Sequence, residues 1–338
     1  SRSHPTSKDQ GWLAGNKVPA AEGGLQVDQT QYILNQTGPT NFKMAKKFLN
    51  GHLNNLETSK KPFFLYYACH SNHTSHDPCK QIDGRQVKGK SYPGGKRSDF
   101  IYENDVVLGL LIEYLQQHDD PRRPGHELID NTLLIFTSDN GAESRKKTAT
   151  GPVRSNKGSI YEGGHRVPFI ASWPLGGIGN GEPNNAGQTS SFPICHVDLL
   201  ATLAEIAGTS ITANNGEDSF SILSALKGNP PPIRTAIIHN DHNEGARLAG
   251  KKPKDPEAAW IAIRIDNPVV KGKQFPGQWK LLADHQLLIN GKMNPRELYE
   301  LSTDLKEQTN RLNEPALKPL VNELAERLQT IHDSGRIQ

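Results

Sequence analysis

Apolar positions recur at helical spacing over residues 40–56, where Phe42, Ala45, Phe48, Leu49, Leu53 and Leu56 share one face. A short continuous apolar run follows at 63–68 and reads as a buried strand. Helical spacing returns over 99–117, with Ile101, Leu108, Leu111, Ile112 and Leu115 on one face and Ser98 or Asp99 placed to cap it. Two further apolar runs, 132–138 and 167–173, predict strands, the second ended by Pro174 and a glycine-rich turn. A helix over 197–207 stops at Gly208, a residue suited to a C-terminal cap. Helix alternating with buried strand predicts an α/β layered sheet flanked by helices, with ligands at the C-terminal ends of the strands.

Beyond Gly208 the texture changes. Pro230, Pro231 and Pro232 interrupt the chain, the stretch from Lys251 to Lys254 is basic and loop-like, and 260–265 and 279–282 read as short strands. Leu317, Leu320, Val321, Leu324, Leu328 and Ile331 then form one apolar stripe, which predicts an amphipathic terminal helix over 316–332 that packs on a core. The expected organisation is a layered domain over 1–210 and a smaller C-terminal α+β subdomain over 211–338 that ends in a helix. The first thirty residues, with Gly11, Gly15, Gly23 and Gly24, carry no sustained periodicity.

Charge narrows the function classes. The 338 residues hold 39 Lys plus Arg against 36 Asp plus Glu, so the net charge of +3 provides no global drive toward nucleic acid or an anionic membrane. No apolar run approaches the roughly 18–20 residues of a membrane span. Cys69, Cys79 and Cys195 form neither a CxxC pair nor a zinc spacing and read as isolated thiols in or near the core. Asn72-His73-Thr74 matches a glycosylation sequon, a short and common pattern.

Chemistry gathers after the three predicted strands of the first part. His70, His73 and His76 follow the first; their spacing on a loop fixes no metal geometry, and a single histidine acting as proton donor or anion ligand is at least as well supported. Asp139 and Asn140 follow the second and offer two hard oxygen donors of the kind Ca²⁺ or Mg²⁺ takes, although an Asx turn with Gly141 explains them equally well. Lys157 precedes the third, in a loop with Gly158, Gly163 and Gly164, where an ammonium can neutralise a sulfate or phosphate oxygen. Glu162 and Arg166, four apart, read as organisers of that loop.

Taken together, Pro62-Phe63-Phe64-Leu65-Tyr66-Tyr67-Ala68 with His70 and His73, Phe136-Thr137-Ser138-Asp139-Asn140-Gly141, and the segment from Lys157 to Gly164 with Val167-Pro168 closely resemble the arylsulfatase family of the alkaline phosphatase superfamily. Asp198-Leu199-Leu200-Ala201-Thr202-Leu203 and Glu297-Leu298-Tyr299-Glu300-Leu301 extend the resemblance over about residues 40–338. It implies an alkaline-phosphatase-like layered sheet and hydrolysis of sulfate esters, whether of a small molecule or a sulfated glycan. It also implies Asp139 and Asn140 as ligands of a divalent cation, usually calcium, Lys157 as a sulfate contact, and His73 as the residue that binds the ester or protonates the leaving oxygen. His70 is a further substrate-binding candidate, and a periplasmic or secreted location follows from the family's habit.

The family's nucleophile is a formylglycine made from the Cys or Ser of a Cys/Ser-x-Pro-x-Arg motif. No cysteine here stands in that pattern, and Ser3-His4-Pro5-Thr6-Ser7 has Ser7 where the arginine is required. The early paired aspartates and the early Gly-Lys-Trp-His type segment of the family are also missing. The chain is therefore expected to correspond to the later part of a sulfatase and to be inactive and metal-poor alone, because calcium takes about 6 to 8 oxygens. A noncatalytic binder of sulfated glycans, and a phosphoesterase or phosphonate hydrolase of the same superfamily, are the alternative readings.

Overall fold

The computed structural model describes residues 33–143, 149–179, 187–212, 215–229, 234, 236–241, 260–284 and 293–337, so the first thirty residues and the basic stretch at 251–254 lie outside the described residues. The chain divides into two compact units, 1–132 and 133–338.

The first unit is built on two long helices, α1 (Leu34–Leu53) and α2 (Lys96–Gln116). Phe42 and Leu49 of α1 join two apolar clusters with Val106, Val107, Leu110, Tyr114 and Leu115 of α2. α1 begins earlier than its apolar spacing predicts and carries Pro39 within it. The buried stripe of α2 is also offset from the expected one: Phe100, Glu103, Val107, Leu110 and Tyr114 face inward, whereas Ile101 is exposed. The run from Val106 to Ile112 is apolar on every side, so periodicity does not single out its inner face.

Between the helices lie a short hairpin, β1 (Gln81–Ile82) with β2 (Arg85–Gln86), and the extended segment 63–68. The strand expected over 63–68 does not form, because no strand among the described residues pairs with it. Extended backbone still alternates its side chains. Phe63, Leu65 and Tyr67 pack on the helices, whereas Phe64 and Tyr66 are 71% and 81% exposed, so the run is not buried on both faces.

In the second unit β3 (Leu134–Thr137) and β4 (Phe169–Ser172) pair antiparallel, with Phe136 opposite Ile170 on an exposed face. Among the described residues three short helices follow the strands or connect them, α3 (Glu162–His165), α4 (Asp198–Ile206) and α5 (Leu223–Leu226). The main sheet has four antiparallel strands, β5 (Ile237–Asp241), β6 (Trp260–Asp266), β9 (Gln278–Ala283) and β10 (Pro295–Glu300), in the order β10-β9-β6-β5; a small hairpin, β7 (Val269–Val270) with β8 (Lys273–Gln274), lies between β6 and β9 in sequence.

The terminal helix α6 (Lys318–Ser334) lays Leu320, Leu324 and Leu328, all fully buried, against Ile263, Leu281 and Leu298 of that sheet. This is the core packing its apolar stripe predicts. Burying each leucine contributes on the order of 2 kcal/mol. The other face of the sheet buries Ala262, Leu282 and Tyr299 against Ile160 and Tyr161, and so carries the segment that follows Lys157. Among the described residues no helix is long and apolar enough to cross a membrane.

Candidate functional site

In the first unit the candidate histidines sit on a turn closed by a hydrogen bond from the His73 amide to the His70 carbonyl, 3.2 Å. Asn72, between them, adopts a left-handed φ of 82°, a conformation asparagine tolerates better than most residues. Both ends of the loop are fixed to α2 through Glu103, which is fully buried. Its carboxylate accepts from the Ser71 hydroxyl and from the Cys79 amide, each at 2.8 Å, and Asn104 Nδ2 donates to the Ser71 carbonyl at 3.2 Å.

His73 Nδ1 contacts the Thr74 carbonyl, which can only accept. This contact suits the tautomer with its proton on Nδ1. The His76 ring packs T-shaped with Phe100 of α2, 6.2 Å between centroids. Among the described residues no three His, Cys, Asp or Glu side chains gather as a metal site requires, so the histidine triplet does not converge. Cys69 is exposed, whereas Cys79 is buried, and burial reinforced by Glu103 raises the Cys79 thiol well above its ordinary range and keeps it protonated.

In the second unit β3 ends at Thr137 and delivers Asp139, exposed, and Asn140, partly buried. Asn140 Nδ2 donates to the Gly141 carbonyl at 2.9 Å, which orients its amide. The Lys157 loop is bonded directly to this turn. The Gly141 amide donates to the Gly164 carbonyl at 2.9 Å, and the Lys157 amide to the Ala142 carbonyl at 3.1 Å. Two hard oxygens and a lysine, separate in sequence, thus share one strand terminus.

That approach depends on glycine. A Cβ on Gly141 would strike the Gly163 carbonyl, one on Gly163 the carbonyls of Arg154 and Ser155, and one on Gly164 the carbonyl of Ser159.

Beneath the loop lies a buried ionic network. Ile160, Tyr161 and Glu162 are all 1% exposed or less, and Lys280 of β9 is completely buried. Its ammonium lies 3.0 Å from Glu162 Oε1, 2.9 Å from Glu307 Oε1 and 3.3 Å from His165 Nε2. Glu307 Oε2 also accepts from the Glu162 amide at 2.7 Å. Burial raises the Glu162 carboxyl, but Lys280 and then His165 more than offset this and hold it well below the usual range. At Glu307 burial outweighs Lys280, and its carboxyl is raised. Burial and the Lys280 charge lower His165 to about 4, and burial with His165 and Lys280 lowers His239, whose ring stacks on that of His165 at 3.7 Å.

A second set of contacts fixes the start of the loop. Arg154 lies over the Tyr161 ring, 3.5 Å from its centroid, and donates to Tyr299 Oη at 3.1 Å and to the Glu307 carbonyl at 2.8 Å. Tyr161 and Tyr299 both donate to Glu297 Oε2, at 2.9 and 2.8 Å.

The sequence reading identified Glu162 and Arg166 as loop organisers, and they are bonded at 3.2 Å. It missed Glu162's buried partners Lys280 and Glu307, as well as Arg154 and Glu103. Lys280 carried a signal, since it is a charge within the apolar strand run Trp279-Lys280-Leu281-Leu282. Glu103 carried one too, on the inner stripe of α2; Glu307 and Arg154, in loops, carried none.

Known proteins with which the chain shares sequence and fold are sulfatases. The chain is 28% identical over 312 residues to an N-acetylgalactosamine-6-O-sulfatase of Bacteroides thetaiotaomicron, covering 86% of this chain and 52% of that protein. It is 32% identical over 181 residues to human arylsulfatase A, covering 53% of this chain and 31% of that protein. A solved structure from work on the metabolism of multiple glycosaminoglycans by Bacteroides thetaiotaomicron superposes with a TM-score of 0.62 at 25% identity, over 90% of this chain and 56% of that one. The chain spans about half the length of the first curated relatives it matches, 44% and 52%. The fold is accordingly the alkaline-phosphatase-like one of the sulfatases, and since the Sulfatase family pattern matches residues 12–209, the chain belongs to the sulfatase family.

Proposed function

We propose that this chain supplies the sulfate-binding and leaving-group side of a sulfuric ester hydrolase site. The observation that carries the reading is the pair of backbone hydrogen bonds that joins the Lys157 loop to the Asp139-Asn140 turn at the end of β3. Lys157 places an ammonium against a sulfate oxygen and stabilises the charge that develops there as the ester bond breaks. His73, on the loop after the 63–68 segment, binds the ester oxygen or protonates it as the alcohol leaves, and His70 adds a polar contact.

Asp139 and Asn140 fit the edge of a Ca²⁺ or Mg²⁺ site by donor chemistry, contributing two of its oxygens. When bound, such a cation adds positive charge beside the sulfate. Formylglycine does not fit a cysteine of this chain, because none stands in the Cys-x-Pro-x-Arg pattern. No residue here is assigned as the nucleophile.

The substrate class proposed is a sulfate ester, with a sulfated glycan favoured because the relatives include an N-acetylgalactosamine-6-O-sulfatase. A periplasmic or secreted location accompanies it.

Calorimetric titration with inorganic sulfate and with calcium tests the reading. Lys157→Ala should weaken sulfate binding about tenfold, the worth of one charge-assisted hydrogen bond, and Asp139→Ala should weaken calcium binding while sparing the fold. In the protein that carries the nucleophile, both should depress aryl sulfate turnover. Unchanged binding and turnover in either variant removes that residue from the site, and phosphate bound more tightly than sulfate would redirect the reading to a phosphoesterase.

A further inference from the structure

We infer that Lys280 is a positioning residue for Lys157, acting through the clamp it makes between Glu162 and Glu307. This rests on the reading of Lys157 as the sulfate-binding cation.

A completely buried ammonium loses its hydration, and well-packed apolar residues commonly stabilise a core as much as a buried ion pair does. Lys280 is flanked by Trp279 and Leu281 in the middle strand pair of the sheet, where a leucine or methionine would satisfy β9 equally well. What an apolar residue cannot do is join two carboxylates. Lys280 links Glu162, at the exit of the Lys157 loop, to Glu307, which follows β10, and Glu307 closes the circuit on the Glu162 amide.

The clamp transmits to Lys157 through a short path. Glu162 is followed by Gly163 and Gly164, whose backbone bonds run to Arg154 at the loop's start and to Gly141 of the Asp139 turn. Tyr161 and Ile160, buried on the sheet, leave Gly158 and Ser159 as the only residues between that anchored stretch and Lys157. Displacing Glu162 therefore moves both the loop that carries the ammonium and the contact that sets its distance from Asp139 and Asn140. The carboxylates need a cation between them, and the loop needs the carboxylates.

The test is a double-mutant cycle on sulfate affinity, read by calorimetric titration with inorganic sulfate, with circular dichroism and thermal melting to verify folding. The charge-balanced variant Lys280→Met/Glu307→Gln removes one cation and one anion and leaves Glu162 paired with Arg166. It should weaken sulfate binding about tenfold in the parent, and less than about twofold when Lys157→Ala is already present. Parent-like affinity in the double variant, or an equal loss with and without Lys157, overturns the inference. If Lys157→Ala itself leaves sulfate affinity unchanged, the failure lies in the functional reading, and the positioning role falls with it. Should the double variant not fold, Glu307→Gln alone carries the test. It keeps the Lys280–Glu162 contact and should cost about threefold only when Lys157 is present; unchanged affinity refutes the clamp.

Discussion

Removing the carboxylate of Glu103 should release the loop that carries His70 and His73, and the size of the effect follows from which hydrogen bonds lose a partner. Glu103→Ala strands the Cys79 amide, whose residue is 2% exposed, and an unsatisfied buried donor costs about 1–3 kcal/mol. The Ser71 hydroxyl belongs to a partly exposed residue and can turn to water, so its loss counts for little. The space left by the side chain adds roughly 1 kcal/mol, for a total of about 2–4 kcal/mol. This corresponds to a fall in melting temperature on the order of 5–10 °C, with amide exchange at Cys79 the most accelerated. Glu103→Gln is the control. Its oxygen can take the Cys79 amide while its nitrogen donates to a rotated Ser71 hydroxyl, so it should lie within about 1 kcal/mol of the parent. Equal losses in the two variants, or no loss in Glu103→Ala, would refute the hydrogen-bond account of this loop.

Gly163→Ala should unseat the Lys157 loop, because its Cβ meets backbone carbonyls of Arg154 and Ser155 that cannot rotate away; a loss of about 2 kcal/mol or more and weaker sulfate binding are expected, and a parent-like melt would contradict the close approach. The pH dependence has a defined sign. His165, lowered to about 4 from an ordinary 6.5, contributes stability that is complete above pH 6.5 and is lost as the pH falls toward 4, with His239 acting in the same direction. His165→Gln should therefore flatten denaturant-measured stability over that window by roughly 2–3 kcal/mol, and an unchanged slope would show that His165 does not titrate on unfolding. Leu324→Ala on α6, fully buried against the sheet, should cost about 2–5 kcal/mol in the same denaturation experiment, and a loss below 1 kcal/mol would mean that the helix is not packed there.

Much of this architecture was legible because it is periodic. α6 shows a stripe of leucines with one face to the core, and 260–265 and 279–282 read as strands from their apolar runs, matching β6 and β9. The segment 63–68 was misread because apolar composition cannot distinguish a strand buried on both faces from an extended chain with one face open; Phe64 and Tyr66 took the open side. The inner face of α2 was misread because its run from Val106 to Ile112 is apolar all round and shows no preferred side, while Glu103, buried on the inner stripe, was not weighed. Asp139, Asn140 and Lys157 stood out through motif and turn chemistry, since backbone approach requires Gly141, Gly163 and Gly164 and glycine is visible in a sequence.

The supports beneath them were hidden for a single physical reason. A charge buried in a core is stable only when its partners arrive from distant segments, and those partners, Glu162 and Glu307 for Lys280 or Ser71 and Cys79 for Glu103, become neighbours only on folding. Both candidate loops are irregular and so lack a ladder of their own to fix them. Apolar packing under such a loop would fill space but leave its backbone donors, the Glu162 and Cys79 amides among them, without acceptors. A buried carboxylate satisfies such a donor and is directional, so it sets the register of the loop as well as its depth. The two loops that carry the candidate chemistry therefore rest on buried carboxylates, and of the two the Lys157 loop also needs a buried ammonium because two carboxylates meet beneath it.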